Sequence, residues 1–395
     1  MIVNGTDELV LTGARVHGPE GTLDNGWLAV SGERISGTGN GTPPPGRHVD
    51  LHGAHVVPGF VDTHCHGGGG GSFTSAKAAE AYTAIATHRA HGTTTLVASL
   101  VSAPPGELVS QLAALSELVT DGDLAGVHLE GPFLSHARCG AHDPGALRDP
   151  DPETIDTLLE AGGGHLRMVT LAPELPGGIK AVRQLADAGV IVAVGHTDAI
   201  ATQVTAAIDA GATVATHLFN GMRPLHHREP GPVGALLDDD RVTIELICDL
   251  VHVHPDVVRL AARHAGRERT VLVTDAMSAT GAADGSYRLG RLDVEVTDGV
   301  ATLPGSGSLA GSTLTMDNAF RNLVHGAGLD IADAVAATAT TPARLLGLGG
   351  ETGALRTGLL ADAVVLDDDL RPVGVLRRGT WVGGHAPPAD GSRRA

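Results

Sequence analysis

The spacing of hydrophobic positions changes twice along the chain. Over residues 1–57 they fall in short runs broken by dense turn signals, such as Gly-Thr-Gly-Asn-Gly-Thr-Pro-Pro-Pro at 37–45. Such punctuation predicts short strands at 8–16, 26–30, 34–36 and 48–55. From residue 56 the pattern becomes apolar run, loop, amphipathic segment, repeated. Apolar runs at 56–64, 93–100, 125–131, 166–172, 191–197, 213–219, 243–249 and 270–275 predict buried strands. Ala-rich helices are predicted between them, at 76–90, 105–119, 152–161, 178–188 and 199–210. Eight apolar strands alternating with helices predict an α/β fold, a (β/α)8 TIM-like barrel. Residues 285–304 read as a hairpin inserted after the eighth strand, with helices starting near 312 and 331. Strand patterning returns at 361–366, 373–377 and 380–382. The predicted organisation is a small β-sandwich domain from 1–57 and 350–395, interrupted by a catalytic barrel domain at 58–349. The tail from Pro387 is predicted to be disordered.

Composition narrows the class. The 395 residues suffice for a large domain and a smaller one, and aromatics make up only 2% of them. The net charge of -18, with no basic stripe, argues against nucleic-acid binding. It leaves room for a small phosphorylated substrate, which a few arginines and backbone N–H groups can hold. Cys65, Cys139 and Cys248 are odd in number and widely spaced, so neither a disulfide framework nor a Cys-rich zinc module is expected. No apolar run reaches membrane-spanning length and no basic-then-apolar leader opens the chain. The expected compartment is a reducing cytoplasm.

The ends of the predicted strands carry the candidate chemistry. The first ends in Pro-Gly-Phe-Val-Asp-Thr-His-Cys-His, where His64 and His66 share one side of a strand and five glycines follow. Strand three ends in Glu130, strand five in His196, strand six in His217 and strand eight in Asp275. These four imidazoles and two carboxylates suit zinc or another borderline divalent ion, and a barrel gathers such residues at one mouth. Asp275 is either a ligand or a base. His128, two residues before Glu130, is expected in the core or behind the ligands, and Asp198 as a helix cap. His226 and His227 are expected in solvent or at an interface, with Arg228 beside them able to clamp a phosphate or carboxylate. His252 is placed to touch substrate and His254 to lie further out. The glycine run lacks the Gly-Lys-Ser/Thr of a P-loop, and Cys139 is expected to be inert.

Several stretches together resemble the amidohydrolase superfamily and, within it, the N-acetylglucosamine-6-phosphate deacetylases. They are 58–71, 128–133, 140–142, 195–198, 216–222, 228–234, His252, 272–275, 309–316 and 358–366. Thr-His-Leu-Phe-Asn-Gly-Met and His-Leu-Glu-Gly-Pro-Phe are the most specific of them. The resemblance implies that Glu130, His196 and His217 hold the main metal ion, most simply Zn2+, and that Asp275 is the general base and acid. It implies contacts to the sugar phosphate from His142, Asn220, Gly221, Arg228, His252 and the backbone of Leu309, Ala310 and Gly311. It further implies a homodimer in which Arg228 and His142 reach a neighbour's site. Because His64 and His66 are present, one or two ions per subunit are expected, Glu130 bridging a pair. The absence of a strand-end lysine excludes a carbamylated-lysine bridge. The implied reaction removes the acetyl group of N-acetyl-D-glucosamine 6-phosphate, in amino-sugar catabolism and cell-wall recycling. The alternatives are the galactosamine epimer, or hydrolysis of N-acyl amino acids or cyclic amides.

Overall fold

The structure is a computed structural model that describes residues 8–384, so the predicted tail from Pro387 lies outside the described residues. The described chain divides into two compact units, one of residues 8–61, 88–95 and 316–384, the other of residues 62–87 and 96–315.

In the first unit, strands from both ends of the chain lie in one sheet. Its order is Thr380–Trp381, Pro372–Arg377, Ala363–Leu366, His55–Pro58, Leu9–Gly18, Gly21–Ser31 and Arg34–Asn40, with Arg47–Asp50 also paired to Leu9–Gly18. Inward-facing Leu11, Val16, Leu28, Val30, Val56, Val365 and Leu376 pack into one apolar cluster. Burial of such alternate side chains drives the sheet together. The strand expected over 56–64 is in fact two strands, His55–Pro58 in this sheet and Phe60–Cys65 in the barrel. The break falls at Gly59, whose amide donates to the Asp362 carbonyl at 2.9 Å. A side chain there would collide with Thr94, its Cβ lying 2.3 Å from Oγ1. An unbroken apolar run cannot reveal such a change of sheet.

The second unit is dominated by the barrel. The barrel's parallel strands, most of whose residues belong to this unit, run in spatial order Phe60–Cys65, Thr93–Val101, Gly126–Glu130, Leu166–Leu171, Ile191–Val194, Ala212–Ala215, Thr243–Ile247 and Thr270–Val273. The seam between last and first is drawn together by the Asp275 amide donating to the His64 carbonyl at 2.8 Å. Thr274 Oγ1 donates to Asp62 Oδ2 across the same seam at 2.6 Å. Local sequence sets the helices between strands. Asp151 caps Pro152–Gly162 by accepting from the Thr154 amide, Pro152 occupies the first turn, and left-handed Gly163 ends the helix. The expected hairpin is a three-stranded antiparallel sheet, Gly285–Leu289, Leu292–Thr297 and Val300–Thr302. No helix among the described residues is long and apolar enough to cross a membrane.

The terminal sheet contains a titratable pair. His17 Nε2 and His55 Nδ1 lie 2.8 Å apart with their rings stacked. Burial, reinforced by His55 and Arg15, pushes His17 down to about 4; burial and Arg15 also lower His55. A folded-state value below the unfolded value of 6.5 means that the unfolded chain binds more protons as pH falls from 6.5 toward 4. Stability is therefore lost across that window. His17→Gln should flatten this loss by up to about 2 kcal/mol once solvent screening is allowed for. Denaturant melts of both proteins at pH 7 and pH 4.5 check this; parallel losses would show that the pair is not responsible.

Candidate metal and catalytic site

The barrel brings the strand-end residues to one mouth. Glu130 is the last residue of its strand, and His64 lies within Phe60–Cys65 with His66 one residue beyond. His196, His217 and Asp275 each stand two residues past the last strand residue. All three adopt positive φ, +46°, +27° and +48°. Non-glycine residues seldom occupy that region, and here it turns three chemistry-bearing side chains away from the strand direction. Gly221 makes the turn near His196 possible, since a Cβ there would lie 2.8 Å from His196 Nδ1.

The donor atoms form two groups that share Glu130. His196 Nε2 and His217 Nε2 lie 3.0 and 2.9 Å from Glu130 Oε1 and 3.1 Å from each other. On the other side, His64 Nε2 and His66 Nε2 are 3.1 Å apart and lie 3.5 and 3.2 Å from Glu130 Oε2. Asp275 Oδ1 lies 3.5 and 3.2 Å from the same two nitrogens. Four ligands about 2.1 Å from a tetrahedral ion stand roughly 3.4 Å apart, close to both sets of spacings. The outer ring nitrogens agree with this chemistry. His66 Nδ1 faces the Ser99 carbonyl at 3.2 Å, His196 Nδ1 the Arg138 carbonyl at 2.9 Å, and His64 Nδ1 the Glu245 carboxylate at 3.4 Å. Each outer acceptor takes an Nδ1–H, which leaves an Nε2 lone pair aimed inward. The residues fit a divalent ion in either group.

Charge follows the same geometry. Burial opposes ionisation of Glu130, but the electrostatic pull of His64 and hydrogen bonds from His142 and His196 outweigh it and hold the carboxyl well below its usual range. Burial likewise opposes Asp275, which His64 and His66 nevertheless hold at about 2. His142 is pushed down to about 4, chiefly by burial. Its Nδ1 accepts the Ser102 amide at 3.2 Å, so the neutral ring keeps its proton on Nε2, 3.4 Å from Glu130 Oε2. For His252, burial lowers the pKa but Asp249, whose Oδ2 lies 2.6 Å from Nδ1, raises it overall.

A cavity of about 250 Å³ opens over these groups. It is lined by His66, Glu130, His142, His196, His217, Asn220, Gly221, His252, Asp275, Leu309 and Gly311, all expected from the sequence. His64 is buried behind them, and Ala310 is buried in the hairpin's apolar cluster rather than in the lining. Arg228 is exposed and not part of the lining; its Nη1 contacts His227 Nε2 at 2.8 Å. His128 is a core residue bonded to Ser99 and Thr170, and exposed His254 caps helix Pro255–Ala265. Asp198 is not the helix cap that was expected. Ile200 holds that position, and Asp198 accepts from Arg138 at 2.8 Å and from Arg223 at 2.7 Å. Two arginines brought in from distant loops outcompete the local turn for its oxygens. Leu289, Ser308 and Glu245 were not anticipated. Only Glu245 left a signal, as the lone charge in the apolar run Thr-Ile-Glu-Leu-Ile.

Comparison with known proteins agrees with this architecture. A model of the amidohydrolase family matches residues 55–385. The N-acetylgalactosamine-6-phosphate deacetylase of Escherichia coli O157:H7 is 38% identical over 366 residues, 91% of this chain and 96% of that protein. The N-acetylglucosamine-6-phosphate deacetylase of Bacillus subtilis is 33% identical over 367 residues, 90% of this chain and 92% of that one. A solved structure of a mutant N-acetyl-D-glucosamine-6-phosphate deacetylase from Mycobacterium smegmatis, in complex with N-acetyl-D-glucosamine-6-phosphate, is 50% identical. It superposes with a TM-score of 0.92 over 95% of this chain and 99% of that one. By family match, identity and fold, the chain belongs to the amidohydrolase family and, within it, to the N-acetylglucosamine-6-phosphate deacetylases.

Proposed function

We propose that the protein hydrolyses the acetamide of N-acetyl-D-glucosamine 6-phosphate to D-glucosamine 6-phosphate and acetate. The observation that carries this reading is the division of Glu130 between two imidazole groups with Asp275 on the cavity side. The names of the relatives supply the substrate class.

Glu130, His196 and His217 would hold the principal ion, and His64 and His66 a second beside it. A divalent ion there, which we take to be zinc, supplies Lewis acidity toward the amide carbonyl and makes the attacking water acidic near neutral pH. Asp275 accepts the water proton as the new C–O bond forms, then delivers it to the amine nitrogen as the C–N bond breaks. His252, tied through Nδ1 to Asp249, presents Nε2 to the negative charge that develops on the acetyl oxygen. Asn220, Gly221 and the backbone of 309–311 orient the sugar, so that binding energy remote from the amide aligns it. Asp275→Asn should retain ion at Glu130, His196 and His217 yet lower kcat by about 10²–10⁴-fold. Metal analysis beside acetate-release kinetics checks both halves; near-normal turnover would remove Asp275 from this role.

Arg228 lies outside the cavity of its own chain, which supports a homodimer in which it clamps the phosphate at the partner's site. Mixing equal amounts of Arg228→Ala and Asp275→Asn subunits should then restore about a quarter of wild-type activity, because about half of the randomly reassorted dimers are mixed. Each mixed dimer would contain one site with an intact base and a borrowed arginine. Mixtures no more active than their components would place Arg228 elsewhere.

The Escherichia coli relative favours a second reading, the galactosamine epimer. We expect kcat/KM to be higher for the glucosamine substrate, and the reverse order would adopt the alternative.

A further inference from the structure

Glu245 is the third residue of the barrel strand Thr243–Ile247 and is wholly buried. A carboxylate in such a place is costly unless particular partners require it. Glu245 makes no ion pair with arginine or lysine among the described residues. Its two oxygens instead meet consecutive residues of the first strand. Oε1 accepts from Thr63 Oγ1 at 2.9 Å, and Oε2 faces His64 Nδ1 at 3.4 Å. On its other side His64 presents Nε2 to His66, Glu130 and Asp275, at 3.1–3.5 Å. The corresponding outer partners of His66 and His196 are neutral backbone carbonyls. Among the described residues His217 Nδ1 has no hydrogen-bond partner, so of these four imidazoles His64 is the one backed by a carboxylate.

We propose that Glu245 is a positioning residue for the ion held by His64 and His66. It accepts the Nδ1 proton, fixes the tautomer with its lone pair on Nε2, and strengthens that nitrogen as a donor. Thr63 orients the carboxylate. This rests on the two-ion reading given above. Glutamine at 245 keeps the shape but loses the negative charge, and it can turn its NH2 toward Nδ1, which favours the wrong tautomer. The effect is confined to one site, because the outer contact of His196 does not involve Glu245.

The test is a Zn2+ titration of the metal-stripped full chain against a chromophoric chelator, with bound metal counted by mass spectrometry. Wild type should take two ions per chain, and the His64→Asn/His66→Asn double variant one. Glu245→Gln should bind the weaker ion about 10–100-fold less tightly and the stronger ion as wild type does. Thr63→Val, which leaves the carboxylate in place, should shift the same ion less. Unchanged binding of both ions by Glu245→Gln overturns the proposal, as does equal weakening of both, which marks a general structural role. A wild type that takes one ion overturns the two-ion reading itself, and the proposal with it. If Glu245→Gln does not fold, Thr63→Val decides, and wild-type binding by that variant counts against the proposal.

Discussion

The site depends on one buried carboxylate. Glu130 is only 3% exposed, and its two oxygens meet five imidazoles. A charge withdrawn from water to that degree must be matched by charge or hydrogen bonds nearby. Strands from across the barrel supply that match. His64 and His66 come from the first strand, and His196 and His217 from segments following the fifth and sixth. Because one oxygen faces each pair, the same carboxylate that neutralises the cluster also divides it into two donor groups. Remove it, and His64 and His66 keep only Asp275 as a shared acceptor, while His196 and His217 face each other.

Holding four side chains around one group requires the backbone to bend where strands normally run straight. The positive φ values at His196, His217 and Asp275 are that bend. Their cost is met by the hydrogen-bonded barrel beneath them and, at His196, by the contact of Nδ1 with the Arg138 carbonyl. Gly221 belongs to the same solution, because any side chain there would enter the space of His196. The inserted hairpin adds Leu289 to a cavity lining whose residues are otherwise mostly polar.

Much of the catalytic barrel was legible in the chain. Continuous apolar runs mark strands buried on both faces, and a polar residue finishing such a run is conspicuous. That logic points to His64, His66, Glu130, His196, His217 and Asp275, which the structure gathers around Glu130. It failed where two contacts compete for one residue. Asp198 follows the rules of a helix cap locally, yet Arg138 and Arg223 reach it from loops 60 and 25 residues away.

The sequence by itself determined which residues are polar inside an apolar frame, and so the chemistry available to the protein. Periodicity along a strand is a local property, set by the alternation of side chains and the cost of burying them. Only the tertiary structure decided which of these groups meet. It showed Val56 and Phe60 entering different sheets, and Glu245 crossing the barrel interior to His64. It also left Arg228 outside the cavity of its own chain. Those outcomes follow from sheet order and barrel closure, which bring together residues such as Glu245 and His64, 181 positions apart, that no window of the sequence contains.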